Sequence, residues 1–179
     1  MLRSPRRAGI AAIVSSAFVG LVFLAGGAAA QPQAGCKPDP SAGAGPAITL
    51  DCGFGLKITV ERSARYAIVD GDKDGRADSL QLSRGGALVS LAPGGGRGFQ
   101  ILTPRAVASV RGTEWAVDAG AEATSVLVLS GAVAVTPRGG GTGVVLRAGE
   151  GADVRGPGDV TAIRWGRARV AALLARFGR

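Results

Sequence analysis

Histidine is absent from all 179 residues. That one absence removes Ser-His-Asp and Cys-His nucleophile arrangements, imidazole general bases and histidine-ligated zinc. An enzyme made from this chain would have to run on carboxylates, lysine, serine or tyrosine, and the sequence pairs no two of these convincingly. Aromatic residues make up only 4%. Trp115, Trp165 and Tyr66, besides the phenylalanines, are therefore the few candidates for stacking on a sugar. Acidic residues are missing from both ends: the first thirty residues carry only Arg3, Arg6 and Arg7, and the segment from Val160 carries only Arg164, Arg167, Arg169, Arg176 and Arg179. The formal charge of +8 arises there, because the thirteen remaining basic side chains are matched by thirteen acidic ones between residues 31 and 159. A neutral body with basic ends has no extended phosphate-binding face, and no nucleic-acid partner is expected.

Cysteine is also scarce, and its placement follows from the start of the chain. Residues 1–30 read as a signal peptide: a positive n-region, the apolar run "AGIAAIVSSAFVGLVFLAGG", then Ala28, Ala29 and Ala30 as a small-residue cleavage site. Cleavage near Ala30 would start the exported chain at Gln31, in the periplasm or outside the cell. An uncleaved signal anchor is the rival, since the run is nearly long enough to span a bilayer. Adjacent Arg6 and Arg7 are a weak twin-arginine signal, because Pro5 and Ala8 flank them. Export places Cys36 and Cys52, the only cysteines, in an oxidising compartment where a disulfide between them is expected. Their spacing is not Cys-x-x-Cys, and Gln33 stands where lipidation of Cys36 would call for an aliphatic residue.

After a Pro/Gly/Ala-rich lead-in over 31–46, the chain from 47 to 158 becomes a succession of short apolar or alternating runs. "LKITVE", "RYAIV", "SLQLS", "ALVSL", "FQIL", "AVASV", "WAVD", "SVLVL", "AVAVT", "VVLR" and "ADV" each suit a strand. Their regular spacing, with Gly, Pro and Asp between them, predicts an all-β domain of short antiparallel strands. "APGGGRG" and "PRGGGTG" read as hairpin loops; neither leads from a strand into a helix, as a phosphate-binding loop would.

The period changes at 159–179, which reads as a basic amphipathic helix. Ile163, Val170, Leu173, Leu174 and Phe177 share one face, and Arg164, Arg169, Arg176 and Arg179 point elsewhere. Asp159 is placed to cap its start and Gly178 to end it. Two roles remain open. The stripe packs on the β-body with its arginines in water, or residues 160–179 touch anionic lipid or an acidic partner with Trp165 as anchor.

"DGDKDGRADS" is the most chemical stretch. Asp70, Asp72, Asp74 and Asp78 take positions 1, 3, 5 and 9 of a calcium loop, Gly75 takes position 6, and the carbonyl of Arg76 can add an oxygen. Position 12 is Gln81 rather than the bidentate Glu of an EF-hand, and strands rather than helices flank it. The stretch is more similar to shorter Asp-x-Asp-x-Asp-Gly-x-x-Asp loops joining strands in some extracellular β-proteins, where such loops bind calcium. The plainer alternative is a polar hairpin turn whose charge Lys73 and Arg76 partly offset. Calcium is the one cofactor the sequence suggests.

From Phe99 onward the order Thr103, Pro104, Val110, Arg111, Gly112, Thr113, Trp115, Val117 leads to Val126, Val128, Gly131, Val133, Val135, Leu146 and Gly149. This spacing resembles the FecR domain family over about residues 86–155. The resemblance implies a periplasmic β-module, a twisted solenoid-like or β-sandwich-like stack. Its best-understood members are sensors that connect outer-membrane siderophore receptors to an extracytoplasmic-function sigma factor, and they carry a cytoplasmic anti-sigma segment before one membrane span. Only seven residues precede the apolar run here, so the expectation is an exported domain without that segment. Read physically, Arg111 to Glu114 form a framework corner: Gly112 permits a bend, Thr113 bonds it, and Arg111 ties nearby carbonyls or Glu114. Asp118 is too far along the strand to be assumed a catalytic partner of Glu114. The reading is a non-enzymatic exported domain acting on an envelope protein. The alternative is a calcium-dependent binding module for glycan or peptidoglycan, and a carboxylate enzyme ranks last. The oligomeric state is not specified.

Overall fold

The computed structural model describes residues 34–42, 45–94 and 97–179; the expected signal over 1–30 and its cleavage site lie outside them. The strands are β1 (Lys37–Pro38), β2 (Ala47–Asp51), β3 (Leu56–Glu61), β4 (Arg65–Val69), β5 (Ser79–Leu91), β6 (Phe99–Leu102), β7 (Ala106–Val110), β8 (Glu114–Ala119), β9 (Thr124–Ser130), β10 (Ala132–Pro137), β11 (Val144–Arg147), β12 (Glu150–Val154) and β13 (Ile163–Arg164), followed by helix α1 (Arg167–Ala175). They form a curled sheet whose two halves face each other and share β5. In the first half the order is β1-β2-β3-β5-β8-β9-β12-β13, and in the second it is β4-β5-β6-β7-β10-β11.

Alternation explains the two faces. In β3, Leu56, Ile58 and Val60 are buried while Lys57 is exposed, and in β10 Val133 and Val135 are buried while Ala132, Ala134 and Thr136 are exposed. With a period of two, one face of each half becomes apolar, and the halves bury these faces against each other. Trp115 is fully buried there, with its ring 6.3 Å from Phe99.

The runs "SLQLS" and "ALVSL" do not form two strands. They join through Arg84-Gly85-Gly86 into one long β5 that passes from one half to the other. Gly85 has φ +88, and a Cβ there would lie 2.9 Å from the Ala64 backbone. A left-handed residue in mid-strand turns the strand without ending it. One pairing departs from the antiparallel pattern, because β5 and β6 run parallel through Ser79–Gln100, Leu80–Ile101 and Gln81–Leu102. The "APGGGRG" segment is therefore a crossover rather than a hairpin loop. "PRGGGTG" does join an antiparallel pair, β10 and β11.

The C-terminal segment is shorter as a helix than its period suggests. Ile163–Arg164 pair with Gly151 and Glu150 as β13, and α1 spans only Arg167–Ala175. Asp159 does not cap it; its carboxylate accepts the Thr142 N–H at 2.9 Å, and Gly166 stands at the N-cap. Ile163 faces solvent, whereas Trp165, Leu173 and Phe177 close over Ala47, Leu88, Ala116 and Leu127 on the outer face of the first half. Gly178, with φ +77, follows the last turn as expected of a helix stop. Among the described residues, no helix is long and apolar enough to cross a membrane.

Candidate functional site

The aspartate loop joins β4 to β5. Asp70 accepts the N–H groups of Asp74 at 3.2 Å and Gly75 at 2.8 Å, and Asp74 accepts the Arg76 N–H at 2.9 Å. Asp78 closes the turn by accepting the Gly71 N–H at 2.7 Å. Oxygens of Asp70, Asp72 and Asp78 can all lie within 4.8 Å of one another, so three of the four carboxylates converge. The fourth, Asp74, points with Asp72 toward Arg97.

Arg97 is the residue that sequence reasoning missed. It arrives from the crossover before β6 and binds Asp72, holding that carboxyl below its usual range. Lys73 and Arg76 are nearer in sequence, but the Arg76 guanidinium sits 3.5 Å from the Phe54 ring centroid. Phe54 itself is 58% exposed at the tip of the β2–β3 turn. Beneath it lies a cavity of about 30 Å³ lined by Cys52, Phe54, Asp78, Arg97 and Phe99. That volume accommodates about one water, too little for a sugar ring.

A disulfide braces this end of the molecule. Cys36 and Cys52 are bonded, as the sequence led one to expect, and the bridge fastens the start of β1 to the end of β2. Gly35, next to the bridge, lies directly against the Gly75 carbonyl, so the lead-in segment backs the aspartate loop.

The Val110-Arg111-Gly112-Thr113 corner joins β7 to β8, but its fastening differs from expectation. Arg111 is exposed and, among the described residues, its side chain makes no hydrogen bond or ion pair. Glu114 instead pairs with Arg179 of the C-terminal segment. The bend is held by Thr113, which is buried and directs its hydroxyl at the carbonyls of Ala132, 3.1 Å away, and Arg111, 3.2 Å away. Gly112 has φ +58 and lies on Pro93. Thr103 works in the same way at the β6–β7 turn. It is buried, its hydroxyl engages the backbone of Ala106 at 2.9 Å, and it meets Thr124 Oγ1 at 2.8 Å. Pro104 follows it within the turn, and Val110 is buried at the end of β7.

A second ionic cluster was also not foreseen. Arg176 donates to Glu61 at 2.7 and 2.9 Å and to Asp118 at 2.8 Å. Glu61 also accepts the Gly86 N–H at 2.6 Å, which locks the bend in β5. An open polar groove of about 580 Å³ lies beside this cluster, lined by Ser63, Ser83, Arg84 and Gly120 among others. The Arg176 guanidinium holds the Glu61 carboxyl below its usual range despite partial burial. Asp39, Asp153 and Asp159 also titrate low. A general acid working near neutral pH needs a raised carboxyl pKa, so none of these groups is suited to that role.

A family model described as FecR protein matches residues 42–134, more than half the chain. The match starts earlier than the 86–155 resemblance, taking in β2 to β5 and the aspartate loop, and stops within β10. Two crystal structures of a candidate anti-sigma factor from Parabacteroides distasonis ATCC 8503, at 2.50 and 1.65 Å, share the fold. Their TM-scores are 0.58 and 0.57, each at 19% identity over 73% of this chain. The chain spans 61% of the length of each. No curated protein sequence matches.

Proposed function

The chain belongs to the FecR family, and on that premise we propose that it is an exported, non-enzymatic β-domain that acts by contact with another protein of the cell envelope, in envelope signalling. The family match over 42–134 carries this reading. The geometry agrees with it in one respect: around the family signature, Glu114 is committed to Arg179 and the Thr113 hydroxyl to the bend. Two measurements test it. A reporter fusion active only in an oxidising compartment should be active on this chain, and deleting the gene should change transcription from promoters of an extracytoplasmic-function sigma factor. An inactive fusion would remove the exported domain; an unchanged transcript profile would remove the signalling role.

A second reading rests on the convergence of Asp70, Asp72 and Asp78. It is a calcium-dependent binding module for glycan or peptidoglycan, with Asp74 and the Arg76 carbonyl as further ligands. Calcium would have to displace Arg97 from Asp72, exchanging one positive charge for two. Calorimetric titration should then show heat that Asp70→Asn abolishes and Arg97→Gln strengthens. Heat that is absent in both the parent and the Arg97→Gln protein would leave the loop as an arginine-braced turn.

A further inference from the structure

Residues 31–159 are neutral in sum, but the strand register does not spread their charge evenly. Arg65 on β4 stands opposite Arg84 on β5. Between β7 and β10 the ladder reaches Ala106 and Pro137. The Arg138 N–H then donates to the Arg105 carbonyl at 2.7 Å, which sets Arg105 opposite Arg138. The parallel pairing of β5 with β6, where Gln81 stands beside Leu102, joins these two pairs along one margin of the second half, where β4 and β7 begin and β6 and β10 end. By alternation Arg65 shares the outward face of Ala67, Arg105 that of Val107 and Arg138 that of Thr136. Arg65, Arg84 and Arg138 are exposed and Arg105 is partly so. Like charges directly opposite on neighbouring strands destabilise a sheet, and this margin holds two such oppositions.

These arginines are not spent inside the molecule. Lys57, Arg97, Arg169, Arg176 and Arg179 all meet carboxylates, whereas among the described residues none of the four enters an ion pair. Carboxylates around the margin are committed elsewhere: Glu61 and Asp118 to Arg176, and Asp159 to the Thr142 N–H. Glu122, exposed in the β8–β9 turn, pairs with none of the four. Two of the guanidinium groups are anchored on backbone instead. Arg138 Nη1 donates to the Thr103 carbonyl at 3.1 Å and Arg105 Nε to the Arg155 carbonyl at 3.0 Å. A carbonyl fixes the planar fork without cancelling its charge, and leaves the other N–H groups free to take a carboxylate.

We propose that this arginine margin is a docking surface and that its occupant is an extended acidic segment of a protein partner, whose carboxylates bridge the opposed guanidinium groups. The proposal rests on the reading of the chain as a domain that acts by contact with a protein, and gives that protein a chemistry. Charge complementarity selects the occupant, because carboxylates between Arg65 and Arg84 and between Arg105 and Arg138 turn two repulsions into bidentate pairs. Length agrees. Four strand steps of about 4.8 Å set β4 about 19 Å from β10, which about six residues of extended chain span. A lipid surface fits less well. Interfacial binding needs apolar side chains beside the basic ones, and the exposed large apolar residues described, Phe54, Val145 and Ile163, are not on this margin.

The test is fluorescence anisotropy of a labelled hexaglutamate peptide titrated with the full chain, produced in an oxidising compartment so that the Cys36–Cys52 bridge forms. The parent should bind, and more tightly at low ionic strength. Arg105→Gln combined with Arg138→Gln should weaken binding about tenfold or more. Arg164→Gln combined with Arg167→Gln removes two exposed charges elsewhere and should change it by less than about twofold. Melting curves establish that each variant is folded, and Arg65→Gln with Arg84→Gln replaces the first pair should it fail. No binding by the parent overturns the proposal. An equal loss in the margin and control variants also overturns it, since attraction would then follow net charge alone. Binding to phosphatidylglycerol vesicles that the margin variants abolish, without hexaglutamate binding, would overturn it in favour of a membrane. None of these measurements depends on export or on transcription, so the docking surface and the envelope-signalling role fail separately.

Discussion

In the Val110-Arg111-Gly112-Thr113 step the buried hydroxyl and the exposed guanidinium have opposite consequences for substitution. Thr113→Val keeps the shape but removes the hydroxyl that donates to the Ala132 carbonyl, which costs about 1 kcal/mol or more. Arg111→Ala removes a solvated side chain and should stay within about 0.5 kcal/mol of the parent. Urea unfolding of the two variants distinguishes them; equal losses would return Arg111 to a framework role. Gly151 is decided by a close approach rather than by backbone freedom. A Cβ there would lie 2.3 Å from Trp165 Nε1 and 2.6 Å from the Val126 carbonyl oxygen. Gly151→Ala must push Trp165 off the sheet, and about 1–3 kcal/mol of overpacking is expected in the same titration.

The C-terminal segment shows how an element can be fastened by spacing. Asp118 on β8 and Asp153 on β12 lie two strands apart, with Ser125 of β9 between them in register. Two strand spacings are about 10 Å, close to the rise of the seven residues separating Arg169 from Arg176 on a helix. Arg169 thus reaches Asp153, and Arg176 reaches Asp118 and Glu61. Arg169 also lies over the Trp165 ring, 3.4 Å from its centroid. Glu61 is only 14% exposed, so Arg176→Ala should cost about 1–3 kcal/mol, more than a surface pair would.

The pH dependence of this element follows from two carboxylates. Arg176 holds Glu61 below its ordinary 4.5. Burial pushes Asp153 up, but Arg169 and Ser125 outweigh it and leave the group below its ordinary 3.8. A folded value below the unfolded one means that the stabilisation is complete above the unfolded value and fades as pH falls through the folded one. Amide exchange at Arg176 and Phe177, corrected for its intrinsic rate, should therefore accelerate below about pH 4 and be flat from pH 5 to 7. Acceleration beginning at pH 6 would contradict this assignment.

At the scale of the molecule, one long bent strand makes a single core from two half-sheets, and the disulfide secures the end at the β2–β3 turn. The bridge closes a separation of 16 residues. Its reduction should lower stability by about 3 kcal/mol, because the unfolded chain regains the loop-closure entropy that the bridge removes. Because Gly35 backs Gly75, reduction should also increase amide exchange at Gly71 and Gly75 before the core exchanges. Loss of stability without that local change would separate the bridge from the aspartate loop.

The sequence by itself determined most of the strands and the disulfide. LKITVE, RYAIV, FQIL, AVASV and VVLR coincide with strands β3, β4, β6, β7 and β11, because alternation and β-branched residues are local properties. The disulfide was legible because only two cysteines exist. The fate of charge was not. Arg97, Arg176 and Arg179 meet partners 25, 115 and 65 residues away. No local pattern marks which arginine among many will be brought to Asp72, Glu61 or Glu114. The fusion of two runs into β5 likewise depends on whether Gly85 and Gly86 bend a strand or end one, which Ala64, Glu61 and Phe177 settle by packing there. Only the register brings Arg65, Arg84, Arg105 and Arg138 to one margin, since residues neighbouring in space there are scattered between positions 65 and 138 of the chain.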